Sequence, residues 1–170
     1  MKPALLIVDD DRSVRESLKR LLEGEQFQVH AAGDAAEAME LYSSRAIDLV
    51  ILDINLGKDD GWALFERMAV RKPSVPAIVV TAEWGQFERA VELGVEALIE
   101  KPIDVPVFLD VIQELLGAKG RQRVRGDQSY CRYISRHYEP YLRMLQERYD
   151  TPFRMDTMDA GGRGRTMPFR

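Results

Sequence analysis

The chain of 170 residues carries a formal net charge of −4, and 45% of its residues are hydrophobic. This length and apolar content suffice for one ordinary domain with a real core, plus an extension. The charge is divided unevenly: residues 1–116 hold 12 Lys or Arg against 22 Asp or Glu, whereas residues 117–170 hold 12 against 6. An acidic domain of net charge −10 is therefore followed by a basic segment of net charge +6.

Cysteine content and the N-terminus bear on the compartment. Cys131 is the single cysteine, so an intrachain disulfide is excluded and a reducing compartment is favoured. The apolar run that begins at Ala4 reaches only Val8, which is too short for the apolar region of a signal peptide. No apolar run approaches the ~20 residues of a transmembrane helix. We therefore expect a cytoplasmic protein without a transmembrane segment.

Short apolar runs alternate along the chain with segments in which apolar residues recur at helical spacing. The runs are typical of buried strands and cover residues 4–8, 47–52, 77–80 and 97–99. Residues 27–31 are predicted to form a further short strand. The helical patterns cover approximately residues 13–24, 34–44, 61–71, 86–93 and 105–116. This alternation predicts an α/β fold, a doubly wound five-stranded parallel sheet with helices on both faces.

Polar side chains stand at the ends of four of the predicted strands. They are Asp9 with Asp10, Asp53, Thr81 and Lys101. Chemistry in such a sheet collects at the carboxyl ends of the strands, so we expect these side chains to converge there. Asp11, the next residue after the first pair, is interpreted as the cap of the following helix.

The chemistry of this group points to phosphoryl transfer. Carboxylates that converge repel one another, and Mg²⁺, which prefers oxygen ligands, is the usual remedy. A bound Mg²⁺ can clamp a phosphoryl oxygen, while Lys101 and Thr81 can supply a positive charge and a hydrogen-bond donor to the others. Asp53, central in the group, is then placed as a nucleophile that could become an aspartyl phosphate.

The combined pattern resembles the receiver domain of two-component response regulators, over approximately residues 4–116. The matching segments are Val8-Asp9-Asp10-Asp11, Leu52-Asp53-Ile54-Asn55-Leu56, Asp60-Gly61, Val79-Val80-Thr81-Ala82 and Lys101-Pro102. The resemblance implies a flavodoxin-like sheet with strand order 2-1-3-4-5. It also implies a phosphoryl group donated by a sensor histidine kinase or a histidine phosphotransfer protein.

The resemblance further implies a role for each matching residue. Asp53 is similar to the phosphoacceptor, and Asp10 to a direct Mg²⁺ ligand. Asp9 would bind Mg²⁺ through water, and Asp53 and the backbone carbonyl of Asn55 would complete the protein ligands. Thr81 and Lys101 would bind the phosphoryl group. A protein of this kind catalyses its own phosphorylation and dephosphorylation and is not expected to be a dedicated turnover enzyme.

Other positions bear on the lifetime of the phosphorylated state or depart from the family pattern. Asn55 and Glu83 occupy the positions that influence hydrolysis of the acyl phosphate, and their polarity favours a short-lived phosphorylated state. Gly57 stands where proline is common in the family. Leu98 replaces the usual aromatic switch residue, so the coupling between that residue and Thr81 is in doubt. Trp84 and Phe87 lie near Thr81 in sequence and are candidates to take the aromatic role.

The chain after the receiver pattern is divided by composition. We predict a receiver domain over 1–117, a basic linker over 118–127, a helical extension over 128–150 with a break at Pro140, and a flexible tail over 151–170. Five of the six tyrosines lie in this C-terminal part, several of them at helical spacing.

Three functions remain open from the sequence. The first is a phosphoacceptor that signals by protein contact, with the extension packing on the receiver, on a second copy in a homodimer, or on an effector protein. The second is a transcriptional regulator that binds DNA through the basic extension, although residues 117–170 hold few aliphatic residues for an independent DNA-binding core. The third is a constitutive scaffold with a receiver fold.

Overall fold

The computed structural model describes residues 2–117, 131–135, 156–158 and 164–166, the last two segments by their backbone only. The first half of the chain forms these elements: β1 Ala4–Val8, α1 Arg12–Gly24, β2 Gln28–Ala32, α2 Ala35–Ser44, β3 Leu49–Leu52, β4 Asn55–Leu56, β5 Asp59–Asp60 and α3 Gly61–Arg71. The second half forms the others: β6 Ala77–Thr81, α4 Phe87–Leu93, β7 Ala97–Glu100, α5 Val105–Gly117, β8 Arg132–Ile134, β9 Asp156–Met158 and β10 Gly164–Thr166.

Six strands form one sheet in the order β2-β1-β3-β6-β7-β8, and every pair of neighbours is parallel. Its central strands are apolar along their whole length because both faces are covered, and Leu5, Leu6 and Ile7 of β1 are all fully buried. The α/β doubly wound prediction is confirmed, and the strand order agrees over the five predicted strands. The sheet has a sixth strand, however, which the sequence did not predict.

Two apolar clusters, one on each face of the sheet, make up the core. One cluster includes Leu64 of α3 and Phe87 of α4, and the other includes Leu22 of α1 and Phe108 of α5. Alternate residues of each strand enter opposite clusters, as the two-residue period of a strand requires. The sheet is thereby held between two helical layers, and its strand ends keep fixed relative positions.

The helical prediction for 128–150 is wrong at Arg132–Ile134, which form β8. The physical reason lies in the edge of β7, whose unpaired backbone groups can accept another strand. Tyr133 and Ile134 are aromatic and β-branched residues that suit a strand, and they enter opposite faces of the core. The other residues of the predicted helix, including Pro140, lie outside the described part of the chain.

Two short strands occur where the sequence predicted a flexible tail. β9 and β10 pair antiparallel through the register Thr157 with Arg165. The prediction of a tail without structure over 151–170 therefore differs from the structure at these six residues. The remaining tail residues and the linker 118–127 lie outside the described residues, and the predicted boundaries between receiver, linker, extension and tail stay predictions.

Candidate functional site

The site is built where β1, β3, β6 and β7 end at one edge of the sheet. Asp9 and Asp53 are the first residues after β1 and β3, and both are buried, with 3% and 7% of their surface exposed. The backbone N–H of Asp53 donates to the carbonyl of Val8 at 2.8 Å, so the pairing of the two strands continues to Asp53. The two carboxylates therefore lie side by side at the edge.

Lys101 brings these carboxylates together. Its Nζ lies 2.6 Å from Asp53 Oδ2 and 3.0 Å from Asp9 Oδ2, and its side chain is 24% exposed. Its backbone N–H donates to the carbonyl of Thr81 at 2.8 Å, which aligns the ends of β6 and β7. The lysine therefore forms a cationic bridge between two carboxylates that would otherwise repel each other.

The contacts of this bridge shift the pKa values of Asp9 and Lys101. Burial raises the pKa of Asp9, and the hydrogen bond from Lys101 opposes that shift without cancelling it. Burial lowers the pKa of Lys101, but hydrogen bonds to Asp53 and Asp9 outweigh burial, so this pKa is raised. The ammonium form is thus stabilised, as a group that binds anionic oxygens requires.

Backbone groups fix the other carboxylate oxygens. Asp53 Oδ1 accepts from the N–H of Asn55 at 2.9 Å, and Asp9 Oδ1 accepts from the N–H of Asp11 at 2.8 Å. Asp11 caps α1 by accepting from the N–H groups of Ser13 and Val14, so its predicted role as a cap is confirmed. Asp9 is therefore fixed at the strand end, whereas Asp11 belongs to the start of α1.

Asp10 differs from its neighbour because it is exposed. Its Oδ2 lies near the turn between β4 and β5, where a Cβ added to Gly57 would approach it to 3.1 Å. Among the described residues, no three His, Cys, Asp or Glu side chains are grouped closely enough to hold a metal ion in this arrangement. The expectation that three carboxylates converge is thus met by Asp9 and Asp53 alone, with Lys101 between them.

The loop after Asp53 depends on two glycines. Gly57 has φ +66°, which suits glycine at the first position of a two-residue hairpin turn and excludes the proline expected from the family pattern. A Cβ on Gly61 would lie 2.4 Å from Ile54 Cα and 2.8 Å from the carbonyl oxygen of Asp53. Only glycine lets α3 begin this close to the backbone of Asp53 and Ile54.

Thr81 ends β6 as a fully buried residue. Its Oγ1 accepts from the N–H of Glu83 at 3.0 Å, so the hydroxyl proton can be directed to another acceptor. Of the two aromatic candidates near it, Trp84 is 64% exposed, whereas Phe87 is buried. Asn55, two residues after Asp53, is exposed, as is Asp10.

The residues at the sheet edge that sequence reasoning missed are Glu100, Tyr133 and Ser135. Glu100 is buried at the end of β7, and both of its carboxylate oxygens accept hydrogen bonds, from Tyr133 Oη and Ser135 Oγ. The alternation of Cys131, Tyr133 and Ser135 is a two-residue period that could have indicated a strand. It was obscured by the tyrosines at helical spacing on either side.

The chain is similar to known proteins of one family. The sequence profile described as the response regulator receiver domain matches residues 5–113. The chain belongs to this family. The receiver pattern found in the sequence is therefore confirmed as that of a two-component response regulator.

Relatives and solved structures agree with this assignment. The response regulator MprA of Mycobacterium sp. (strain KMS) is 33% identical over 118 residues, which are 68% of this chain and 51% of that protein. The regulatory protein VirG of Agrobacterium tumefaciens (strain 15955) is 30% identical over 75% of this chain and 49% of its own length. The chain spans about half the length of these curated relatives.

Solved receiver domains have the same fold. A CheY-like receiver domain protein from Methanospirillum hungatei JF-1 gives a TM-score of 0.67 at 30% identity and covers 70% of this chain and 97% of its own. The non-phosphorylated HemR receiver domain from Leptospira biflexa gives 0.66 at 33% identity, covering 72% of this chain and all of its own. Within the described part of this receiver, no helix is both long and apolar enough to cross a membrane.

Proposed function

We propose that this receiver accepts a phosphoryl group on Asp53 from a sensor histidine kinase or a histidine phosphotransfer protein, in a Mg²⁺-dependent reaction. The observation that carries the proposal is the contact of Lys101 Nζ with Asp53 Oδ2 at 2.6 Å. Asp53 is held at the end of a central strand, and a fixed cation lies beside it. That arrangement suits a nucleophile whose product gains negative charge.

The proposed reaction is a displacement at phosphorus. A carboxylate oxygen of Asp53 attacks the phosphorus of a phosphohistidine, the new P–O bond forms, and the P–N bond breaks with its electron pair leaving on the imidazole. Lys101 binds a phosphoryl oxygen, and the Thr81 hydroxyl donates to another. Water later attacks the acyl phosphate, releasing inorganic phosphate and restoring the carboxylate. Asn55 and Glu83 lie at the positions proposed to influence that hydrolysis.

The residues proposed to hold Mg²⁺ are Asp9, Asp10, Asp53 and the backbone carbonyl of Asn55. All offer oxygen, which is the ligand type that Mg²⁺ prefers. Asp10 is exposed and Asp9 and Asp53 are joined through Lys101, so binding requires these side chains to draw together. When bound, the ion neutralises charge on the transferring phosphoryl group.

The output proposed for the phosphorylated state is protein–protein contact. Part of the basic extension, residues 131–135, lies against the receiver sheet, which favours a role for the extension in such contact. A homodimer or an effector protein bound through the extension is compatible with this output.

Mg²⁺-dependent labelling of the full chain tests the proposal. We expect acetyl phosphate with Mg²⁺ to add one phosphoryl group in intact-mass spectrometry, and chelation of Mg²⁺ to prevent it. Asp53→Asn should abolish the labelling. Asp48→Asn is the matched control, because Asp48 lies at the opposite end of the same strand segment and accepts from the N–H of Ala4. A wild-type chain that stays unlabelled favours the constitutive scaffold.

A second candidate function is DNA binding through the basic extension, favoured by the net charge of +6 over residues 117–170. It requires affinity for duplex DNA that falls steeply with salt and is lost on truncation after Gly117. Equal affinity of the full and truncated chains for a duplex would reject it.

A further inference from the structure

The strand β8 covers the edge of the receiver sheet next to the site. It pairs in parallel with β7, and the N–H of Arg132 donates to the carbonyl of Glu96 at 2.9 Å. Tyr133 is only 3% exposed, and its ring lies 5.3 Å from that of Phe87 on α4. Ile134 enters the core cluster of α5 on the other face. A segment of the extension is thus built into both faces of the core.

The polar part of this docking is a buried carboxylate satisfied by neutral hydroxyls. Glu100 is 6% exposed, and it accepts from Tyr133 Oη and Ser135 Oγ, both contributed by the extension. A buried carboxylate that loses such a donor retains its desolvation penalty without compensation. The docked position of β8 therefore depends on where the Glu100 carboxylate lies.

Glu100 is also adjacent to the acceptor site in two ways. Along the chain, the next residue is Lys101, whose Nζ binds Asp53 and Asp9. Across the sheet, Glu100 is the register partner of Thr81. Leu98, two residues earlier on β7, is the register partner of Tyr133. One strand end therefore contacts the phosphoryl-binding groups on one side and the extension on the other.

We propose that β8 is the element that senses the state of Asp53: it is docked through Glu100 when Asp53 is free, and phosphorylation of Asp53 favours its release. The inference rests on the proposed phosphoacceptor function and specifies how that site is read. Tyr133 and Ser135 are positioning residues in this scheme, since they act on the site through Glu100 and Lys101.

The direction of the effect follows from charge and geometry. A phosphoryl group brings negative charge and strong acceptor oxygens, which attract Lys101 and the Thr81 hydroxyl. Both flanks of Glu100 are then drawn toward Asp53, and hydrogen bonds weaken steeply as they lose alignment. The added negative charge also repels the Glu100 carboxylate. Both effects raise the free energy of the docked state relative to the released one.

Cys131 provides the measurement, because it is the only cysteine and is 5% exposed beside β8. Its thiol should react with iodoacetamide only after β8 leaves the sheet. Full-length protein is treated with acetyl phosphate, Mg²⁺ and iodoacetamide. Intact-mass spectrometry gives the phosphorylated fraction, and the alkylation rate is compared between parallel samples with and without acetyl phosphate, because a short-lived phosphoryl group moves molecules between the two states during labelling. We expect the phosphorylated molecules to react about tenfold faster, within the usual range of coupling between sites.

Variants distinguish coupling between Asp53 and β8 from a general loss of stability. Tyr133→Phe keeps the ring on Phe87 and removes one donor to Glu100, so unphosphorylated protein should react about tenfold faster and gain little more on phosphorylation. Tyr42→Phe removes a hydroxyl that donates to the carbonyl of Lys72, remote from β8, and should leave both rates unchanged. Asp53→Asn should abolish the response to acetyl phosphate.

The possible outcomes distinguish the two proposals. An equal or slower rate in molecules shown to be phosphorylated overturns the sensing role of β8 and leaves Asp53 as the phosphoacceptor. A chain that is never phosphorylated removes both proposals. A Tyr133→Phe rate equal to that of the wild type shows that Glu100 does not hold the strand, and this too overturns the inference.

Discussion

Glu100 and Lys101 are consecutive residues that belong to two different buried polar clusters. Each cluster must compensate the negative charge of buried carboxylates, and the two do so differently. In the first, Lys101 contacts Asp9 at 3.0 Å and Asp53 at 2.6 Å where the strands end, and it offsets one of the two negative charges. In the second, the buried Glu100 keeps its place through two hydroxyl donors, Tyr133 and Ser135. The ammonium of Lys101 compensates negative charge in the first cluster. In the second, neutral hydroxyl groups from the C-terminal extension stabilise the Glu100 carboxylate by hydrogen bonds.

The difference suits each cluster to its proposed role. An ammonium that can exchange a carboxylate oxygen for a phosphoryl oxygen keeps a favourable partner in either state. Hydroxyl donors on a short strand act as a pair, because both leave Glu100 together with the strand and water replaces them. Stability at the second cluster is therefore cooperative, and a small displacement of Glu100 can change whether β8 is docked.

The largest expected effect comes from removing the cation that bridges Asp9 and Asp53, with Lys101→Met. Loss of a preorganised cation beside the reacting group should slow phosphorylation of Asp53 about 10²- to 10³-fold. The uncompensated carboxylates should also make the melting temperature rise more on addition of Mg²⁺ than it does in the wild type. Phosphorylation kinetics and thermal melts with and without Mg²⁺ measure the two effects.

The matched control for that variant is Lys72→Met. Lys72 Nζ donates to the carbonyls of Tyr42 and Arg45 and is not part of the Lys101 bridge. Its removal should lower stability modestly without changing the phosphorylation rate. Comparable slowing in both variants would contradict a specific role for Lys101.

An intermediate effect is expected at the hydroxyl cluster from a double-mutant cycle of Tyr133→Phe and Ser135→Ala. Each substitution should reduce the free energy of β8 docking by about 1–3 kcal/mol, because each leaves Glu100 short of a donor. Together they should reduce it by less than the sum, with a coupling of about 0.5–3 kcal/mol. Cys131 alkylation rates of the four proteins measure the cycle, and strict additivity would mean that the hydroxyls act independently.

The smallest effect lies at the opposite edge of the sheet, on β2. Burial lowers the pKa of His30, and the positive charges of Arg45 and Lys19 lower it further. The unfolded chain then takes up a proton more readily than the folded one. Stability is highest above the unfolded pKa of about 6.5 and falls as the pH drops through the lower folded pKa. Urea midpoints of wild type and His30→Gln between pH 8 and 5 should show a slightly smaller decline in the variant.

The same variant tests whether the two edge strands, β2 and β8, are independent. The rate of Cys131 alkylation, corrected for thiolate content, should be the same in His30→Gln and wild type at each pH. A shift in that rate would connect β2 to β8 through the whole sheet and contradict a local dependence on Glu100.

Much of the receiver could be predicted from the sequence because its signals are local. Buried strands such as Ala4–Val8 are continuous apolar runs, and each is followed by a polar residue at the same edge. The proximity of Asp9, Asp53 and Lys101 follows from that common edge. The predicted helix cap Asp11, which accepts from the N–H groups of Ser13 and Val14, is also a local feature. The roles assigned to these residues remain proposals.

The predictions failed where a residue's conformation depends on a distant partner. Tyr133 and its neighbours fall within a helical pattern of tyrosines, but the open edge of β7 and the Phe87 ring make the strand more favourable. The need for glycine at position 61 could not be foreseen either, because it arises from the backbone of Ile54 and Asp53 across a loop.

Consecutive residues were enough to predict a parallel sheet of five strands and the polar groups at the strand ends, since period and strand end are local properties. The order of those strands came from the resemblance to the receiver family. That Lys101 bridges Asp9 and Asp53 and that Asp10 is exposed became visible in the folded structure alone. So did the burial of Glu100 against two hydroxyls from the extension. These contacts join residues between 33 and 92 positions apart, and their formation depends on which surfaces the folded core brings together.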